Sequence, residues 1–200
     1  RMLSQGRIRD HSLIEETEVL TVKVGIVGPQ SSCESIERAL HYIDPEVEVR
    51  CYVREQVSAC AEVYPDCERE CDAVLSPGRA VERYVKSTCR ITKPTAAVAR
   101  SAVAVARAFL SMQKQNLNFD SLSIDIVEPQ VIEDVLDAFQ ILAKNIYSYP
   151  TPEDIEEERY VRWHKALQDE GYTAVALTSL QWVFQQLQED GYQAIYMGPT

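Results

Sequence analysis

Four short stretches of this chain place a hydroxyl where an apolar run gives way to a polar one. They are Gly28-Pro29-Gln30-Ser31-Ser32, Ser76-Pro77-Gly78-Arg79, Pro94-Thr95 leading on to Arg100 and Ser101, and Thr178-Ser179. A hydroxyl beside the unpaired N–H groups of a helix start binds anions and carbonyls. A guanidinium adds a two-pronged donor for a carboxylate or phosphate. The candidate ligand-binding set is therefore Ser31, Ser32, Ser76, Gly78, Arg79, Thr95, Arg100, Ser101, Thr178 and Ser179. Ser and Thr are also ordinary helix N-caps, so one such corner carries little. Four of them, with Arg79 and Arg100, predict a polar pocket for a small polar or anionic molecule.

Other chemistries find less support. No G-x-G-x-x-G and no G-x-x-x-x-G-K-[ST] occurs, so neither a dinucleotide fingerprint nor a P-loop is present, and no cofactor is expected. His11, His41 and His164 fall in the polar leader or in helical patterns away from the corners, which suggests no nucleophile–base pairing. His164, beside Trp163 in a charged helix, is expected at or near the surface. Asp125, alternating with apolar neighbours in "SIDIV", is expected to face solvent. A two-base cysteine racemase would need a thiol in each half, but Cys33, Cys51, Cys60, Cys67, Cys71 and Cys89 all lie in the first. A non-catalytic chain is the expectation. Cys60, Cys67 and Cys71 are metal or redox candidates, yet only Cys67-x3-Cys71 has the spacing of a closed site. Packing as small apolar side chains is the simpler reading.

The elements that would position the corners alternate. From Val22 onward, "VKVGIVG" reads as a strand, "SSCESIERALHYI" as a helix, "EVEVRCYV" as a strand, "EQVSACAEVY" as a helix interrupted near Pro65, "DAVLSPG" as a strand, "RAVERYVKST" as a helix and "CRITKP" as a short strand. A helix apolar nearly all round, "TAAVARSAVAVARAFLSMQKQ", follows and reads as buried. The alternation then restarts with "LSIDIV" and runs to "YQAIYMG"; "QDEGY" and "QEDGY" each close a helix with a glycine suited to a left-handed cap. Strands and helices in turn predict an α/β fold of βα-rich lobes with mostly parallel sheets around a cleft. The expected division is a linker or helix tail over 1 to 20, a first lobe over 21 to 94, a connecting helix over 95 to 120 and a second lobe over 121 to 200. Whether the last strand returns to the first lobe is left open.

The stretch "DAVLSPGRAVERYVKSTCRITKPTAAVARSAVAVARAFL" resembles the effector-sensing domain at the N-terminus of the propionate-catabolism type transcriptional regulators. In that family a strand reading "DVIISRGG" runs into a helix, then a short strand and a long helix. Ser76 and Gly78 stand where the family has its Ser and a Gly, while Pro77 and Arg79 depart from it. The resemblance spans residues 22 to 145 and implies a two-lobed, periplasmic-binding-protein-like domain that senses an effector for an output or DNA-binding domain elsewhere in a longer chain. The opening "RMLSQGRIRDHSLIEETEVL" suits a connector from something upstream.

The net charge of −11 argues against direct nucleic-acid binding, which needs a basic footprint. No run approaches the roughly 18 apolar residues of a membrane span, so no membrane contact and a cytoplasmic location are expected. A homodimer is the expected assembly. The rival reading is a dimerisation or interaction module anchored by Tyr160, Trp163, Trp182 and Phe184.

Overall fold

The computed structural model describes residues 21–98, 101–149 and 155–199. Two four-stranded, all-parallel sheets organise it. The first holds β1 (Lys23–Gly28), β2 (Glu48–Val53), β3 (Ala73–Ser76) and β4 (Thr95–Ala97) in the order β2-β1-β3-β4. The second holds β5 (Ser121–Asp125), β6 (Asn145–Tyr149), β7 (Val175–Thr178) and β8 (Ala194–Tyr196) in the equivalent order β6-β5-β7-β8. β8 pairs with β7, so the last strand stays in the second sheet.

Helices cover both faces of each sheet, as parallel strands require. α1 (Gln30–Ile43) buries Cys33 and Ile36 against Ile26 of β1. α2 (Cys60–Glu70) and α3 (Arg79–Thr88) cover the opposite face, α3 through Ala80, Val81 and Val85. In the second lobe α4 (Ala102–Lys114) and α5 (Pro129–Phe139) share one face with Leu122, Ile124 and Leu177. α6 (Glu157–Asp169) and α7 (Gln181–Glu189) lie on the other face. Their apolar residues Tyr160, Val161, Val183 and Leu187 join Val57, Cys60 and Tyr64 of the first lobe in one continuous core, so the lobes are closed on each other. No helix of the described residues is long and apolar enough to cross a membrane.

Three local outcomes differ from the sequence reading. Pro65 does not interrupt α2: the Ala61 carbonyl, which loses its helical donor to the proline, lies 3.7 Å from the Cys89 thiol. "CRITKP" is not a strand, because Glu68 takes its backbone: the carboxylate accepts from the N–H groups of Thr92 and Lys93 and from the Thr92 hydroxyl. The strand forms later, at Thr95–Ala97, inside the run expected to be helical, and α4 begins only at Ala102. The two glycine caps form as the sequence suggests. Gly171 and Gly191 have φ of +75° and +81°, and Tyr172 and Tyr192 donate back to the carbonyls of Leu167 and Leu187.

Candidate functional site

In a sheet ordered β2-β1-β3-β4, chain connections diverge between β1 and β3, and a crevice opens beyond the carboxyl ends of those strands. The second sheet has its own crevice between β5 and β7. The closed lobes bring these two switch points face to face around a cavity of about 180 Å3. From the first lobe, Pro29, Ser32, Pro77, Gly78 and Arg79 wall it; from the second, Ile126, Val127, Glu128, Ser179, Leu180 and Gln181 do.

The sequence explains the tightness of these corners. A Cβ on Gly28 would collide with the ring of Pro77, so only glycine lets the β1 and β3 corners approach this closely. The helix start that follows is already occupied: the Gln30 N–H donates to Glu55 Oε1 at 3.1 Å. The chain's own carboxylate therefore fills the anion position at the start of α1. On the opposite wall Ile126 has φ of +50°, a left-handed conformation that a β-branched residue adopts only where its surroundings enforce it.

Polar contacts cross between the lobes. Glu157 Oε2 accepts from the Val57 N–H at 2.8 Å, Ser32 Oγ lies 3.3 Å from the Tyr196 hydroxyl, and Ser31 Oγ donates to Gln181 Oε1 at 3.2 Å. Arg79 and Glu128 approach to 4.0 Å, but both are exposed, so this pair contributes little. Glu157 is the unusual member. It is 3% exposed, lines the cavity, and its Oε1 has no hydrogen-bond partner among the described residues. Burial pushes its carboxyl up to about 7; the Val57 bond opposes this, and the charges of Glu158 and Asp125 add to it.

Beneath the second-lobe wall lies a buried polar chain. Asp125 Oδ1 accepts from the Ser179 N–H at 2.9 Å, and Oδ2 lies 3.0 Å from His164 Nε2. His164 Nδ1 lies 2.7 Å from Ser123 Oγ. A carboxylate offers only acceptors, so Nε2 carries the proton. Asp125, His164 and Ser123 are all fully buried. This corrects the expectation of a solvent-facing Asp125 and a surface His164. Ser, His and Asp occur together here, yet Ser123 is sealed within the lobe and cannot meet a substrate. The chain instead ties α6 to β5 and holds the β7–α7 corner at the cleft.

Of the sequence candidates, Ser32, Gly78, Arg79 and Ser179 meet at this cavity. Ser31 lies just behind it, at a neighbouring groove. Ser76 is buried at the end of β3, and Thr178 accepts from the Leu180 N–H, so both shape corners rather than face the cleft. Thr95 bonds the Tyr64 hydroxyl and the Lys93 carbonyl inside the first lobe, and Ser101 precedes α4. Arg100 lies outside the described residues. Cys60, Cys67 and Cys71 are buried in the core; Cys67 and Cys71 occupy the space that the absent side chain of Gly25 leaves over β1. No group of His, Cys, Asp and Glu among the described residues is arranged to hold a metal.

The sequence reading missed Glu55, Glu157 and Tyr196. The first two follow β2 and β6, corners that carry carboxylates where only hydroxyls and guanidinium groups had been sought. Tyr196 ends β8.

No family model matches the chain, and no curated protein matches it. Among solved structures, the fold is shared with an NtrC-family transcriptional regulator from Clostridium acetobutylicum, at 14% identity over 90% of this chain and 89% of that one, with a TM-score of 0.65. A periplasmic binding protein from Burkholderia mallei (10% identity, 88% of this chain, TM-score 0.36) and an extracellular ligand-binding receptor from Rhodopseudomonas palustris (16%, 88%, 0.36) are matched more loosely. This chain spans 60% of the length of each of those two. The likeness to that regulator holds at the level of fold, a two-lobed α/β arrangement of parallel sheets.

Proposed function

We propose that this chain is the ligand-sensing domain of a cytoplasmic transcriptional or signalling regulator, and that it acts by binding rather than by catalysis. One observation carries the reading: a cleft walled by the switch-point corners of both lobes, with hydrogen bonds crossing between them. A ligand touching both walls stabilises the closed arrangement by its differential affinity for it, and the lobe equilibrium is what an attached output domain would read. The walls are largely apolar, from Pro29, Val57, Pro77, Val81, Val127 and Leu180, with Glu55, Glu128 and Glu157 set against Arg79 and Arg83. This lining suits a small molecule with an apolar body and polar ends better than a simple anion.

A thermal-shift screen against amino acids, organic acids, nucleosides and sugars tests it, repeated with Val131→Trp to fill the cavity from one wall. The expected result is a concentration-dependent rise in Tm with one chemical class, abolished in the variant. No rise with any class, or a rise that survives the variant, would refute the reading.

The proposal includes a homodimer. Leu110, Phe139 and Leu142 are exposed along an apolar groove on the α4–α5 face, with Val103 exposed on the same helix α4, an unusual concentration for a free surface. Light scattering should find a dimer in the parent chain and a monomer in Leu110→Glu.

A further inference from the structure

A second cavity of about 460 Å3 opens between the lobes on the far side of Tyr196, which lines both. The Ser31–Gln181 and Ser32–Tyr196 bonds separate the two spaces. Its chemistry differs from that of the cleft. Arg38 enters from α1 of the first lobe and Arg107 from α4 of the second, with Ser31, Ser35, Ser111 and Gln115 beside them. No Asp or Glu among the described residues lines it, although the chain carries 31 acidic residues against 20 basic ones.

The carboxylates nearest in sequence are engaged elsewhere: Glu34 with Gln30, Glu37 toward Cys51, and Glu189 with Gln186. Arg107 donates through Nη2 to the carbonyls of Gly198 and Pro199, at 3.1 Å each, which orients the guanidinium without neutralising it. Arg38 forms no ion pair or hydrogen bond with a described residue. Two guanidinium groups without a carboxylate partner among the described residues, one from each lobe, facing hydroxyls and amides across a seam, form a receptor for several anionic oxygens at once.

We infer that this second interlobe cavity binds a small, multiply charged anion, a phosphate ester or a polycarboxylate, with Arg38 and Arg107 as its two charged contacts. The anion would join α1 to α4 across the seam. Because both arginines are exposed, its affinity falls as salt rises.

Calorimetric titration of the chain at low ionic strength with inorganic phosphate, pyrophosphate and citrate tests this. The pyrophosphate and citrate arms separate the two sources of charge. Binding of at least one polyanion is expected, weakened about tenfold or more by Arg38→Gln and again by Arg107→Gln, as the loss of a charge-assisted contact implies. Val131→Trp, which fills only the first cavity, should leave it unchanged, so failure of the cleft reading and failure of this one are distinguishable. Arg38 makes no ion pair or hydrogen bond with a described residue, so its replacement should leave the described fold intact. Polyanion affinity equal in Arg38→Gln and the parent, or no binding of any of the three anions, would overturn the inference.

Discussion

Glu157 gives the sharpest test of the closed arrangement. Its carboxyl bridges to Val57 of the other lobe, is almost wholly buried, and is raised from 4.5 to about 7, burial being the principal cause. A group whose pKa is higher folded than unfolded binds more protons in the native state. Its stabilising contribution is therefore fully present below 4.5 and is lost as pH rises towards 7. Between pH 5.5, still above the acidic isoelectric region of this chain, and pH 8.5, the linkage relation makes the loss about 2 kcal/mol. A chain of this size moves its Tm by about 2–4 °C per kcal/mol, so this one group should lower Tm by roughly 4–8 °C across that window.

Glu157→Gln keeps an acceptor for the Val57 N–H and removes the ionisation. Its amide leaves donors unpaired at about 1 kcal/mol, but equally at every pH. The variant should thus be about as stable as the parent at pH 5.5, where the parent has already lost more than about 1 kcal/mol of this contribution, and about 2 kcal/mol more stable at pH 8.5. The assay is urea unfolding at half-unit pH steps, read as the difference between the two proteins so that all other titrating groups cancel. Parallel stability curves would refute the reasoning, because they would mean that the carboxyl ionises in the native state as freely as it does unfolded.

Four further outcomes follow. Gly25→Ala sets a methyl against the Cys67 sulfur and close to Cys71, and should destabilise by about 1–3 kcal/mol in the same unfolding assay; an unchanged midpoint would show that α2 does not rest on β1 as described. Asp125→Ala strands the His164 Nε2–H and the Ser179 N–H inside the second lobe, and a loss of about 3 kcal/mol is expected, where a loss below 1 kcal/mol would mean that water reaches them. Cys51 is exposed whereas Cys60 is buried, its thiol pushed up to about 12 by burial foremost, so a thiol reagent at neutral pH should label Cys51 in the native protein and Cys60 only on unfolding. A chelator should leave Tm unchanged, and a fall would restore the metal reading of the cysteines.

The alternation of strands and helices was legible because each lobe keeps its pattern local. β1 is an apolar run bounded by a glycine, α3 places Ala80, Val81 and Val85 on one side, and Gly171 and Gly191 stop their helices where only glycine is comfortable at positive φ. What failed was decided at a distance. Nothing in "CRITKP" announces that its backbone donors belong to Glu68 on α2 rather than to a neighbouring strand. Nothing near Pro65 announces that the Cys89 thiol, 28 residues from Ala61, approaches the Ala61 carbonyl that the proline leaves behind.

The site was half legible for a related reason. Corner hydroxyls can be listed strand by strand, and four of the candidates do meet at the cleft. Their role, however, depends on which lobe each faces. The rule that polar residues alternating with apolar ones face water assumes a strand with one wet side, and it fails for the inner strand of a parallel sheet covered on both faces. β5 is such a strand: from Leu122 onward every residue is buried, Ser123 and Asp125 included. Buried polar groups must find partners, and theirs lie 39 to 54 residues along the chain, on α6 and at the end of β7. The same argument reassigns the charges. Carboxylates at the β2 and β6 corners take the backbone donors that an anionic ligand would have needed in the first cavity, through Glu55 on Gln30 and Glu157 on Val57. Two guanidinium groups with no described carboxylate partner lie on α1 and α4, where neither helix reveals by itself that Arg38 and Arg107 share a seam.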